Sequence, residues 1–263
     1  MFTWFAHLRV YLWRVVFGMA KTPTLEDISV LYKSDNFVIV NKRYDVMINH
    51  RDPKYEVTVN LQLRKLHPEL ADRNLTHDFR FVHQLDFSTS GALCLALNKD
   101  ACSRASKLFS SRSVLKEYVA LVRGRVEADF MTIEKAVAQS TEPGYEHMMC
   151  IPTEDSTQHV RERPAVTNLQ VISRGHYNGE PSTKVLLTPQ TGRRHQLRVH
   201  CSHIGHTIVG DFTYSLRKDI KPYRMMLHAL RLVIPLPNEH IDITAPDPFI
   251  PDIDPAWKPE ESS

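Results

Sequence analysis

The sequence predicts an α+β protein with a mixed, largely antiparallel central sheet and flanking helices. Three observations lead there. Short β-branched or apolar runs recur along most of the chain, separated by polar, Pro- or Gly-containing turns. Only a few stretches space their apolar residues as a helix does. With 263 residues, 42% of them hydrophobic, the chain is long enough to bury a sizeable core as one main domain, two lobes being its natural variant.

The elements follow in order. Residues 1–20 are apolar and aromatic, interrupted by Arg9 and Arg14, with no acid before Glu26. Their uninterrupted apolar stretches are too short to span a bilayer. The acid-poor, basic character suits a mitochondrial transit peptide, but the absence of serine suits an extension packed on the domain. An N-terminal extension (1–24), a main domain (25–250) and an extended tail (251–263) are the expected divisions. Ile28 to Val40 reads as a hairpin around Lys33-Ser34-Asp35-Asn36. Val59, Leu63 and Leu66 make a helix face that stops near Pro68, and Ala101, Ala105 and Leu108 make a second. Tyr118 to Val122, Ile133 to Ala138, Val166 to Ile172 and Lys184 to Leu187 read as strands. His195 to Cys201 reads as a helix. A strand pair begins at Leu227 and ends at Ile243, and the Pro-rich end beyond it reads as coil.

Net charge is only +3, so the molecule as a whole is no basic coat for nucleic acid. The distribution says more. Arg104, Lys107, Arg112, Lys116, Arg123 and Arg125 fall close together, and Arg193, Arg194 and Arg198 form a second cluster. Both are either solvated faces or phosphate contacts along an RNA strand. Four scattered cysteines, with no C-x-x-C pair, fit a reducing compartment, cytoplasmic or nuclear. No Gly-rich phosphate loop is present.

Chemistry gathers in three stretches. His83-Gln84-Leu85-Asp86-Phe87-Ser88-Thr89-Ser90-Gly91 places a carboxylate on a tight turn just before the apolar run Ala92 to Leu97. Spacing alone gives a turn-capping aspartate as readily as a catalytic one. The words of the stretch resemble the H-R-L-D-x-x-T-S-G signature of the RluA-type pseudouridine synthases. Lys116 to Gly124 is similar to that family's K-x-Y-x-A-x-V-x-G motif. Gly192 to His200, continued through Gly205 to Gly210-Asp211, is similar to its G-R-x-H-Q-[IL]-R-x-H motif and the G-D that follows. The three occur in the family's order, and the resemblance runs from about Ile28 to about Phe249.

The resemblance implies the pseudouridine synthase fold, with a cleft across the sheet, and an enzyme that turns uridine into pseudouridine in rRNA or tRNA. This isomerisation breaks the N1–C1′ bond, turns the base and joins C5 to C1′. It needs no redox change and no energy input, so no cofactor and no metal are expected. The partner is RNA, with no membrane. The base must leave its stack to be reached. Asp86 maps to the catalytic aspartate, acting as nucleophile or as stabiliser of charge at the sugar. Arg198 maps to the arginine paired with it. Tyr118 maps to the tyrosine that stacks on the uracil and is a candidate to move the C5 proton. Leu197, Arg193, His195 and Gln196 are further candidates for substrate contact.

Two departures stand out. Gln84 replaces the family arginine that handles the backbone around the flipped nucleotide, keeping hydrogen-bonding capacity but losing charge and reach. Arg43-Tyr44-Asp45 replaces the Pro and Gly of the N-K-P-x-G opening, so a different local turn is expected. Two rival readings remain. Gln84 favours a weak or inactive synthase fold kept for binding RNA. His195, His200, Cys201, His203 and His206 crowd one stretch as zinc ligands do, but lack an H-E-x-x-H or paired C-x-x-C frame.

Overall fold

The computed structural model describes residues 21–50, 52, 55–153 and 159–260. The expected roles of residues 1–20 lie outside the described residues. The chain divides into two compact units, residues 21–116 with 228–246, and residues 117–227 with 247–263. Mixed sheet and few helices make it α+β. No described helix is long and apolar enough to cross a membrane.

In the first unit β1 (Ser29–Lys33) and β2 (Phe37–Lys42) form the expected hairpin, and β2 pairs antiparallel with β4 (Ser90–Ala96) from Phe37↔Ala96 to Lys42↔Gly91. The opposite edge of β4 is divided. Its end pairs with the short β3 (Arg80–Phe81), and its start pairs in parallel with β12 (Leu227–Leu236), which turns back into β13 (Glu239–Thr244). Every residue of β4 is buried, as its continuous apolar run requires. Helices α1 (Val59–Leu66) and α2 (Lys99–Ser110) start where Thr58 and Asn98 accept from Leu61 N–H and Ala101 N–H, so each first turn is side-chain capped. Ala101 and Ala105 enter the core with Phe37, Ile39, Cys94, Leu232 and Ile234. Val59 and Leu63 are buried, but Leu66 is exposed, because α1 ends there and its last turn leaves the core.

The second unit is built on β10 (Val166–Tyr177), paired along its length with β11 (Glu180–Pro189), which pairs in turn with β5 (Leu115–Arg123). The other edge of β10 is shared by β6 (Phe130–Glu134) and β14 (Trp257–Pro259). A separate three-stranded sheet joins β7 (Val137–Ser140) to β8 (Met149–Cys150) and β9 (His159–Arg163). Two expectations are corrected. The strand read across Ile133 to Ala138 is two strands in two sheets, broken at Lys135-Ala136. The tail is not all coil: Trp257 buries its indole as β14 pairs with β10, and buried Asp254 accepts from Tyr177 Oη at 3.2 Å. Helix α3 (Gln196–His203) forms as expected.

Candidate active site

Asp86 sits, half-buried, in a loop of the first unit that is held at both ends. Ahead of it, His83 packs flat on Phe109 of α2, ring centroids 4.7 Å apart, and its Nε2 accepts from the Cys94 N–H at 2.9 Å. Cys94 lies where β3 has ended and β12 has not reached, so the imidazole supplies an acceptor in the gap between them. That role needs a neutral ring. Burial, and then the Lys116 charge, push His83 from 6.5 down to about 3.

Behind Asp86 the chain turns back, Thr89 N–H donating to Asp86 O at 3.1 Å. Lys42, fully buried, donates from Nζ to the carbonyls of Phe87 (2.9 Å), Val46 (2.7 Å) and Arg43 (2.9 Å). Ser90 Oγ lies 2.7 Å from Nδ1 of the buried His228. Gly91, at φ +112°, leaves no room for a side chain, since a Cβ there would stand 2.2 Å from Ala229 O. The Arg43-Tyr44-Asp45 departure leaves a left-handed turn in place, with Asp45 at φ 55°, a conformation aspartate tolerates better than most residues. Gln84, two residues before Asp86, is exposed.

The other candidates belong to the second unit. Tyr118 lies on β5 opposite Leu187, half-buried against an apolar cluster that includes Leu197 and Cys201 of α3. Arg198 is buried, and its guanidinium meets Asp211 side-on: Nε to Oδ2 at 2.7 Å and Nη2 to Oδ1 at 2.8 Å. Asp211 Oδ1 also accepts from the N–H groups of Thr213 and Tyr214. Gly210, at φ +75°, carries Asp211 past Arg224 O, where a Cβ would come within 2.1 Å. Tyr214 lies under the guanidinium, 5.0 Å from Cζ to ring centroid, and its hydroxyl bonds His195 Nδ1 and the Met149 N–H, each at 3.0 Å.

His195 adopts a left-handed backbone, φ 54°, at the start of α3. Gln196 is buried with its amide fully engaged. Its oxygen accepts from Thr191 Oγ1 and Arg193 N–H, and its nitrogen donates to Val166 O and Thr167 Oγ1. These four bonds tie the start of α3 to Thr191, Arg193, Val166 and Thr167. Leu197 is largely buried in the apolar cluster, and Arg193 Nε donates to Pro164 O at 3.1 Å. Sequence reasoning gave no role to His83, Asp211, Tyr214 or His228. His83 and Asp211 stand inside the motifs and Tyr214 just past the last one, but the partners of all four are set by the fold.

The first basic cluster breaks up. Arg123 is bound by Asp219 through two hydrogen bonds and by Glu180, Arg125 by both oxygens of Glu260, and Arg104 by Asp100. Lys107, Arg112 and Lys116 make no ion pair among the described residues. Burial and the adjacent Arg112 push the Lys116 ammonium below its usual range. The histidine-rich stretch is also partly spoken for. Both ring nitrogens of His200 are engaged, by Thr167 Oγ1 and Lys135 O at 2.9 Å each, and no group of three candidate metal ligands forms among the described residues.

Residues 36–203 match the RNA pseudouridylate synthase family. RNA pseudouridylate synthase domain-containing protein 1 of Danio rerio is 52% identical over 236 residues, covering 90% of this chain and 80% of that protein. The dual-specificity RNA pseudouridine synthase RluA of Vibrio vulnificus is 33% identical over 236 residues, covering 88% of this chain and 87% of its own. The solved human RNA pseudouridylate synthase domain containing 1 superposes with a TM-score of 0.80 at 44% identity, covering 91% of each chain. The chain therefore belongs to the RNA pseudouridylate synthase family, and it is a pseudouridine synthase.

Proposed function

We propose that this enzyme isomerises uridine to pseudouridine in structured RNA, rRNA or tRNA, with Asp86 as its essential group. The observation that carries the reading is the fixation of the Asp86 loop. Lys42, His83, the Ser90–His228 bond and the Gly91 contact hold its backbone from both sides. A carboxylate that must meet C1′ of a flipped nucleotide gains from a position set in advance. Tyr118 offers an aromatic face suited to stacking on uracil, and Arg198 is a buried cation fixed in place by Asp211.

The test is pseudouridine mapping on total RNA from cells with and without the protein. Sites lost on depletion should return with the wild type and not with Asp86→Asn. Recovery of those sites with Asp86→Asn would overturn the assignment. Gln84, exposed where the family carries arginine, motivates one second reading, an RNA binder with little turnover. That reading predicts no site lost on depletion.

A further inference from the structure

Beyond the reacting nucleotide, the second unit carries a basic surface that extends past the motifs and past the family match. The loop 212–218 follows Asp211 and contains two successive left-handed residues that are not glycine, Leu216 (φ 50°) and Arg217 (φ 66°). Such backbone is unfavourable for residues with a Cβ and persists where its surroundings enforce it. Here backbone hydrogen bonds within the loop hold it. Arg217 N–H donates to Phe212 O at 2.8 Å and Lys218 N–H to Ser215 O at 3.2 Å. The result is outward projection: Leu216, Arg217 and Lys218 are all exposed, Leu216 by 55%.

Tyr214 also draws two other segments to this loop. Its hydroxyl binds Met149 N–H, two residues past His147, and His195 Nδ1, next to Arg194. Arg194, exposed, donates from Nη2 to His147 O at 3.0 Å. His147, Arg194 and the loop thus share one neighbourhood. Among the described residues Arg194, Arg217 and Lys218 make no ion pair. The His147 imidazole lies below its usual range, first through burial, then through Arg217 and Arg194, with Glu146 the acid acting against them. Arg194, Arg217 and Lys218, none in an ion pair among the described residues, outnumber the one nearby acid, Glu146, and leave the surface open to anions.

We propose that Arg194, Arg217 and Lys218 bind phosphates of the RNA strand, with the exposed Leu216 side chain as an apolar contact within that surface. The proposal rests on the RNA-modifying function above and extends it to how the strand is held. Two of the three cations lie outside the motifs. Buried Arg198 is excluded from this role by its pairing with Asp211, so the second basic cluster read from sequence shifts outward, from Arg198 to Arg217 and Lys218.

Binding of unfractionated tRNA to the purified full chain, measured as salt is raised, tests it. Each phosphate contact removed should flatten the log–log slope by about 0.7 to 0.9. Arg194→Ala combined with Arg217→Ala should therefore flatten it by roughly 1.5 and weaken binding by at least tenfold at low salt. Leu216→Gly, which suits the left-handed backbone, should melt at or above the wild-type temperature while binding more weakly. An unchanged slope in the double variant overturns the surface, and so does wild-type affinity in Leu216→Gly. Pseudouridine formation followed on the same RNA separates the two claims. An active enzyme with an unchanged slope sinks only the surface. A wild type inactive on this tRNA and on rRNA, whose slope still responds to these substitutions, sinks only the proposed chemistry.

Discussion

The loop that carries Asp86 and the helix that carries Arg198 are fixed by opposite means. Around Asp86 the holding groups grip the backbone: a buried lysine on three carbonyls, an imidazole on one N–H, and a glycine pressed on a neighbouring strand. The side chain itself stays half-buried. Around Arg198 the grip is on the side chain, by a buried carboxylate in side-on geometry and an aromatic ring beneath. In the role proposed for Asp86, a group whose oxygen must approach a sugar carbon benefits from a rigid loop under a reachable head. A group that serves only as charge benefits from a rigid head. Substitutions should tell the two designs apart.

The largest stability effect belongs on the Arg198 side. Asp211→Asn leaves a buried guanidinium without its counter-charge, which costs about 3–5 kcal/mol. Denaturant unfolding should show this, and Arg198→Lys should not repair activity, because an ammonium cannot make the two-point contact. Next comes His83. Since its folded value lies below its unfolded one, the unfolded chain takes up the proton first. Stability is thus complete above 6.5 and falls by about 1.4 kcal/mol per pH unit from there toward 3. His83→Gln keeps an acceptor for Cys94 N–H but does not titrate. Between pH 6.5 and 5, above most carboxylate titrations, its stability should fall by about 1.4 kcal/mol per pH unit less than that of the wild type, the lowered His147 and His200 imidazoles acting alike in both proteins. It should start about 1 kcal/mol lower at neutral pH, through loss of the Phe109 stack. Parallel stability curves for the two proteins would remove His83 as a pin of the loop.

The smallest effect concerns Gln84. A charge-assisted hydrogen bond contributes roughly 1.5–3 kcal/mol, against about 0.5–1.5 for a neutral one. Gln84→Arg should therefore tighten RNA binding by on the order of tenfold, with the Asp86-dependent chemistry intact. Activity that appears only in Gln84→Arg would mean the natural protein binds RNA without modifying it.

Local patterns made much of the fold legible. The β1–β2 hairpin, both capped helices, α3 and the β12–β13 pair were visible because β-branched runs, apolar spacing and turn residues are short-range signals. The break between β6 and β7 was not, because no glycine or proline marks Lys135-Ala136 and the change of sheet is decided by distant partners. Strand β14 was hidden by the prolines around it, and only the burial of Trp257 explains why it docks. The same divide runs through the site. Asp86, Tyr118 and Arg198 were nominated by motif words, whereas Asp211 as the holder of Arg198, and His83 as the acceptor for Cys94, depend on contacts 13 and 11 residues away that no spacing rule supplies.

The central claim is that Asp86, on its fixed loop, is the group without which no pseudouridine forms. Single-turnover assay of wild type and Asp86→Asn, both saturated with the same bound RNA, tests it directly. Asparagine keeps the size and loses the negative charge, so the variant should melt like the wild type, bind the RNA and form no pseudouridine. Product formation at the wild-type rate by a verified Asp86→Asn preparation would contradict the account.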